Sequence, residues 1–180
     1  MMTCSLIILM ASYNEWMNAK LYEAAGTLPP EELIADRNAF FHSIIGTLNH
    51  LVVADTLWLK RFATHPSSHH ALDPVRNLQT PRTLDEWLFS DIAVGSRHRT
   101  FLDGIIRQWA MELAEEDFLH VLCYSNMKGI EMKKDFFSVV MHFFNHQTHH
   151  RGQITTLLSQ AGIDVGVTDL VVLIPNEMGS

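Results

Sequence analysis

Apolar residues recur at three- and four-residue spacing through four long stretches of this chain, and proline and glycine separate the stretches. In a helix, such spacing gathers side chains onto one face, and each face must be buried against another. The pattern therefore predicts an all-α fold, a four-helix bundle. The first stretch covers residues 5–25, with Leu9, Tyr13, Trp16, Met17, Leu21 and Ala24 on its stripe. Gly26 and the Pro29-Pro30 pair stop it. The second covers residues 38–63 and carries Phe41, Ile44, Ile45, Leu48, Val52 and Leu57. The third covers residues 83–113, and Thr83-Leu84-Asp85-Glu86 at its start has the form of a capping box. The fourth covers residues 134–161, with Gly162 as its cap.

The segments between these stretches differ in texture. Residues 31–36 are acidic and read as a loop or short turn, and the prolines and serines of residues 64–82 read as a long loop. Val121, Leu122 and Tyr124 are strand formers, residues 125–129 suit a turn, and residues 130–132 can return. A small β-hairpin is expected there, between helices three and four.

A length of 180 residues with 47% hydrophobic content predicts one domain over residues 1–180 with a sizeable core. Thirteen Lys and Arg against twenty Asp and Glu give a net charge of −7, which argues against nucleic acid as a partner. Cys4 and Cys123 are the only cysteines and form no Cys-x-x-Cys pair, as expected of a reducing, cytoplasmic setting. The apolar run at residues 5–10 is too short to span a bilayer and lacks a basic lead, so it reads as the start of a helix. No membrane association is expected.

The chemistry lies in the histidines. Eleven in 180 residues would give fewer than one i,i+4 pair by chance, yet the chain has three: His65/His69, His142/His146 and His146/His150. Any single histidine is most often an ordinary packed or surface residue. Four within residues 142–150 of one helix are a stronger signal, because positions i and i+4 share a face and can hold one ion from one side. A third imidazole from another helix would complete a set with open coordination positions, the hallmark of a catalytic rather than a structural metal. His50 is the candidate, with the small residues Gly46 and Ala54 one turn to either side leaving space.

The other histidines and polar residues are graded around that set. His142 reads as a fourth ligand or a neighbour, His149 as a supporting or surface residue, and His65, His69 and His70 as solvated loop residues. Gln153, two turns after His146, is placed to orient a ligand, and Asp55 and Thr47 are possible partners for an imidazole N–H. Gln147 stands where a zinc protease needs a glutamate base, so peptidase activity is rejected. Asp117 and His120 form the chain's one acid-x-x-His pair, whereas a di-iron carboxylate bundle needs two such Glu motifs. Phosphate-binding loops, a nucleophile elbow and a dinucleotide fingerprint are all missing.

The string Asn145-His146-Gln147-Thr148-His149-His150-Arg151-Gly152-Gln153 resembles the DinB-like family of damage-inducible proteins, within the DinB/YfiT-like superfamily. The likeness extends to residues 13–18, to residues 45–51, and to Ala54-Asp55 and Trp58, so it covers nearly the whole chain. The resemblance implies a four-helix bundle whose His50, His146 and His150 hold a divalent metal, nickel or zinc, and an assembly as a homodimer. It also implies kinship with thiol-dependent enzymes, among them a mycothiol-dependent maleylpyruvate isomerase and bacillithiol S-transferases. Imidazole ligands by themselves suit zinc, nickel, iron and copper alike.

Three functions follow for such a chain. The first is a thiol-dependent S-transferase or isomerase, in which the metal lowers the pKa of a low-molecular-weight thiol and Gln153 and Tyr13 line the pocket. The second is metal-assisted hydrolysis with Asp55 as base. The third is a non-enzymatic metal-binding stress protein.

Overall fold

The computed structural model describes residues 2–176. The chain is mostly helical, with one small two-stranded antiparallel sheet. Four long helices carry the fold: α1 (Met2–Ala25), α3 (Ile44–Phe62), α5 (Ile92–Glu112) and α6 (Phe136–Gln160), with the short α2 (Pro30–Ile34) and α4 (Asp73–Arg76) between them. Helix α1 packs on α5 and α6, and α3 packs on the same two, so the four enclose one core. Its centre is aromatic. Phe62 stacks on Trp109 at 4.9 Å between ring centroids, and Phe136 and Phe143 meet Phe62 edge-on, each at 5.6 Å. Truncating a fully buried ring of this kind to alanine costs about 3–5 kcal/mol.

Helix boundaries follow side-chain caps. Ser43 accepts the Gly46 N–H at 3.0 Å, and Asp135 accepts the Ser138 N–H at 2.8 Å. At the end of α6, Gly162 takes φ +80°, and Ile163 N–H returns to the Leu158 carbonyl in a Schellman closure.

Two expectations about the helices need correction. The second stretch does not become helical at residue 38. Asn38 and His42 adopt left-handed backbone (φ 55° and 63°), and an isolated bridge joins Ala39 to His42, so α3 begins only after Ser43. The third stretch does not start at Thr83. Residues 83–91 form turns, and α5 begins after Asp91, which accepts the Val94 N–H at 2.9 Å.

The reason for the second correction is tertiary. Buried Asn49 reaches out of α3; its Oδ1 accepts the N–H groups of Leu88 (2.6 Å) and Phe89 (3.1 Å), and its Nδ2 donates to the Phe89 carbonyl (2.8 Å). Those three bonds hold Leu88 and Phe89 against α3 and leave their backbone groups unavailable to a helix. Glu86 then closes a local loop by accepting the Arg82 N–H at 2.5 Å instead of capping a helix.

Strands β1 (Val121–Ser125) and β2 (Glu131–Asp135) pair in register Val121 with Asp135 and Ser125 with Glu131. Asn126 accepts the N–H groups of Lys128 and Ile130 to shape their turn, and Gly129 supplies the φ of +75° that it requires.

A buried polar network crosses the four long helices. Arg99 donates to Asp55 Oδ2 at 2.5 Å and pairs with Asp103 at 3.0 Å. Asn14 and Asn18 of α1 donate to Asp103, Gln147 of α6 donates to Asp55 at 2.9 Å, and Arg151 donates to Asn14. Burial pushes the Asp55 carboxyl up to about 6 despite the opposing Arg99 guanidinium. Each member satisfies another, so removing one leaves an uncompensated charge or dipole in the core.

Candidate metal centre

Helix α3 presents His50, and α6 presents His146 and His150 one turn apart. The Nε2 atoms of His50 and His146 lie 3.3 Å apart. The His50 and His150 rings, and the His146 and His150 rings, are both 4.4 Å apart between centroids. Each of the three offers a nitrogen within 4.8 Å of the others. For metal–nitrogen bonds of about 2.0–2.1 Å, tetrahedral ligands sit about 3.4 Å from one another. The observed spacing fits a single ion.

The surroundings aim the nitrogens inward. His50 Nδ1 donates to the Leu84 carbonyl at 2.8 Å, and His150 Nδ1 donates to Gln153 Oε1 at 2.7 Å, tautomers that follow from the acceptors. Each ring therefore keeps its Nε2 lone pair for the cluster, as metal-bound histidines do. Phe41 stacks on His50 at 3.8 Å and meets His150 edge-on, fixing both planes from the apolar side. Burial, followed by the neighbouring imidazoles, lowers His146 to about 3. Burial outweighs the Gln153 contact and lowers His150 to about 4; it also lowers His50 despite the Leu84 carbonyl. All three are neutral at pH 7, the form that binds a cation. At 3.3 Å, His146 Nε2 either donates its proton to the His50 Nε2 lone pair or, when its proton is on Nδ1, turns a second lone pair to a shared cation.

A model of the DinB family matches residues 1–177. This chain belongs to the DinB family. Protein DinB of Bacillus subtilis (strain 168) is 25% identical to it over 159 residues, covering 87% of each chain. No solved structure matches. Among the described residues, no helix is long and apolar enough to cross a membrane.

Of the remaining residues singled out in the sequence, this DinB-family fold brings some to the cluster and not others. Gln153 is there, bonded to His150. His149 is exposed beside His150, and exposed His142 lies 5.9 Å from the His146 ring. Asp55 belongs to the Arg99 network; five residues along α3 it points about 140° away from His50. The Tyr13 hydroxyl donates to the Thr168 carbonyl, and its ring lies under Arg151. Thr47 bonds back to Ser43 within its own helix turn. Gly46 leaves no open space, because a Cβ there would lie 2.2 Å from the Phe41 carbonyl oxygen; the glycine lets residue 41 close over the site. His65 and His69 are buried, not solvated, while His70 is exposed as expected. The Leu84 carbonyl and Phe41 were missed: a backbone acceptor has no sequence signature, and Phe41 reads as part of the helical stripe.

A cavity of about 470 Å³ opens beside the cluster, with His50, His142 and His146 on one side and Trp58, Arg61 and Tyr124 on another. The Arg61 guanidinium lies 4.5 Å from the Trp58 ring and 4.8 Å from that of Tyr124. Burial lowers its pKa, yet it stays cationic at neutral pH. Lys128 in the hairpin turn adds a second cation to the same wall.

Proposed function

We propose that this DinB-family protein is a cytoplasmic metal-dependent enzyme that carries out a thiol-dependent S-transfer or isomerisation. In this reading it is a four-helix bundle of the DinB/YfiT type with a small hairpin between the third and fourth long helices, working as a homodimer. His50, His146 and His150 would hold zinc or nickel. The observation that carries the proposal is the set of three neutral imidazoles whose free nitrogens converge beside a cavity. A divalent ion bound there supplies Lewis acidity that favours the thiolate form of an incoming thiol.

The chain's own residues do the rest. Leu84 and Gln153 hold the imidazoles in orientation, and Phe41 keeps water from one flank. Arg61, braced between Trp58 and Tyr124, and Lys128 suit a substrate that carries a carboxylate. Hydrolysis would need a general base at the cavity, and Asp55, the sequence's candidate, is engaged by Arg99 and Gln147 instead. That favours an incoming nucleophile over an activated water.

The test compares metal content and turnover. Protein purified without a nickel column or chelator should carry one divalent ion per chain more than its His146→Ala/His150→Ala variant. The parent, and not the variant, should accelerate the reaction of small carboxylate-bearing thiols with electrophiles. Equal metal content in the two proteins would end the proposal.

A further inference from the structure

A second group of ligating side chains lies beyond the C-terminal end of α3. Phe62 is 12 residues along the helix from His50, about 18 Å at 1.5 Å per residue, and His65 follows in the next turn. Ser68, with φ +50°, bends the chain so that the His69 ring stacks 5.3 Å from that of His65. Asp117 comes from the 3₁₀ turn Glu115–Leu119 that follows α5. The three are 4%, 6% and 7% exposed, and each offers a ligand atom within 4.8 Å of the others.

We propose that His65, His69 and Asp117 form a second divalent-metal site, of the two-histidine, one-carboxylate kind, which ties the end of α3 to the connection after α5.

His69 Nε2 is buried with no hydrogen-bond partner. It lies 3.6 Å from Asp117 Oδ2, too long for a hydrogen bond and close enough for both atoms to share an ion. Leaving such a nitrogen bare in the interior is costly, and a cation would satisfy it. His65 Nδ1 faces Asp117 Oδ1 at 4.0 Å. Its Nε2–H donates to the Asp117 backbone carbonyl at 3.3 Å, the outward contact that orients a metal-bound imidazole. The Ser67 N–H reaches Nδ1 at 3.2 Å; Ser67 is exposed, so water can replace that bond when an ion takes the lone pair.

Asp117 is prepared as a ligand. Oδ1 accepts the Ser67 hydroxyl at 2.5 Å, and Oδ2 accepts the Ala114 N–H at 2.8 Å. Each carboxylate oxygen keeps a lone pair beyond those bonds. Burial opposes the charge on Asp117, but its donors and the two imidazoles outweigh burial and hold the carboxyl below its usual range. The distances of 3.6 and 4.0 Å exceed the ligand spacing of a bound ion by about 0.2 and about 0.6 Å. Imidazole nitrogen selects zinc-like transition ions over magnesium or calcium. Nothing in this cluster is shared with the His50 site.

The experiment titrates tag-free, chelator-stripped full-length protein with zinc chloride and then with cobalt chloride. Three proteins are compared: the parent, His146→Ala/His150→Ala, and His69→Gln/Asp117→Asn. The parent should take up two ions per chain and each variant one. Zinc should raise the Tm of the His146→Ala/His150→Ala protein by several degrees, because the ion binds only the folded chain. Histidine ring NMR of the unaltered parent guards against a misfolded variant: zinc should move the His65 and His69 resonances as well as the His146 and His150 resonances. The proposal is overturned if those two resonances stay still at about 100 µM zinc, or if His69→Gln/Asp117→Asn binds as many ions as the parent.

Discussion

The two histidine clusters of this protein are assembled by different means. His146 and His150 are one turn apart on α6, and a single helix contact brings His50 to them. His65 and His69 lie on irregular backbone and Asp117 on a 3₁₀ turn, and their proximity depends on a left-handed residue and on the meeting of segments 52 positions apart. The first cluster opens on a cavity; the second is sealed beneath its own loops. A helix sets the spacing of His146 and His150 by its period alone, although the Leu84 carbonyl and Phe41, both outside the helices, still orient the rings. A loop-borne site is only as stable as the hydrogen bonds that shape its loops.

The largest contrast should come from deleting ligands. His146→Ala/His150→Ala should weaken zinc binding at the helix-borne site by about three orders of magnitude or more, read by competition with a chromophoric chelator, with the fold intact by circular dichroism. Asp117→Ala should instead act on the apo fold. It removes the charged acceptor of the Ser67 hydroxyl and the Ala114 N–H, so urea denaturation should show a loss of about 1–3 kcal/mol. A change within experimental error would mean that the loops hold themselves together without Asp117.

Next in size is Gln153→Ala, which frees the His150 ring and should weaken metal binding about 10–100-fold. Gln153→Glu, which restores an acceptor, should recover most of that affinity. An alanine variant that binds as tightly as the parent would remove Gln153 from the site.

The smallest effect is on pH dependence. The folded apo protein keeps His146 and His150 neutral down to about 3 and about 4, respectively, from an ordinary value of 6.5, while the unfolded chain takes up protons there. The stability these groups contribute is complete above pH 6.5 and drains away as the pH falls toward 4. Asp117 is lowered from 3.8, so its contribution is lost only below that value. The apo Tm should therefore fall between pH 7 and pH 5, and His146→Ala/His150→Ala should flatten most of that slope. His50 and His65, also lowered by burial, would keep the remainder, and the raised Asp55 carboxyl, which is protonated first in the folded chain as the pH falls through about 6, would work against it. An unchanged slope in the variant would assign the titration elsewhere.

Several parts of this molecule are legible in the sequence. The helix-borne histidines are visible because an i,i+4 pair means the same thing in any helix, and Gly162 announces the end of α6 because few other residues adopt its φ. The turn between the strands is readable from Asn126 and Gly129. The start of α5 is not, because Thr83 to Glu86 is a sound local cap that Asn49, far away in sequence, overrules. Nor is the burial of His65 and His69: proline and serine around them signal a loop, and a loop is ordinarily wet.

By itself, the sequence determined the helical periods, the stops between them and the shared face of His146 and His150, all consequences of local backbone geometry. Tertiary structure alone decided that His50 faces that pair, that the Leu84 carbonyl and Phe41 orient it, that Asp55 is committed to Arg99, and that Asp117 meets two loop histidines. Each of those is a contact between residues distant along the chain. Local period cannot encode such contacts; only the burial of apolar faces selects among the ways the helices can meet.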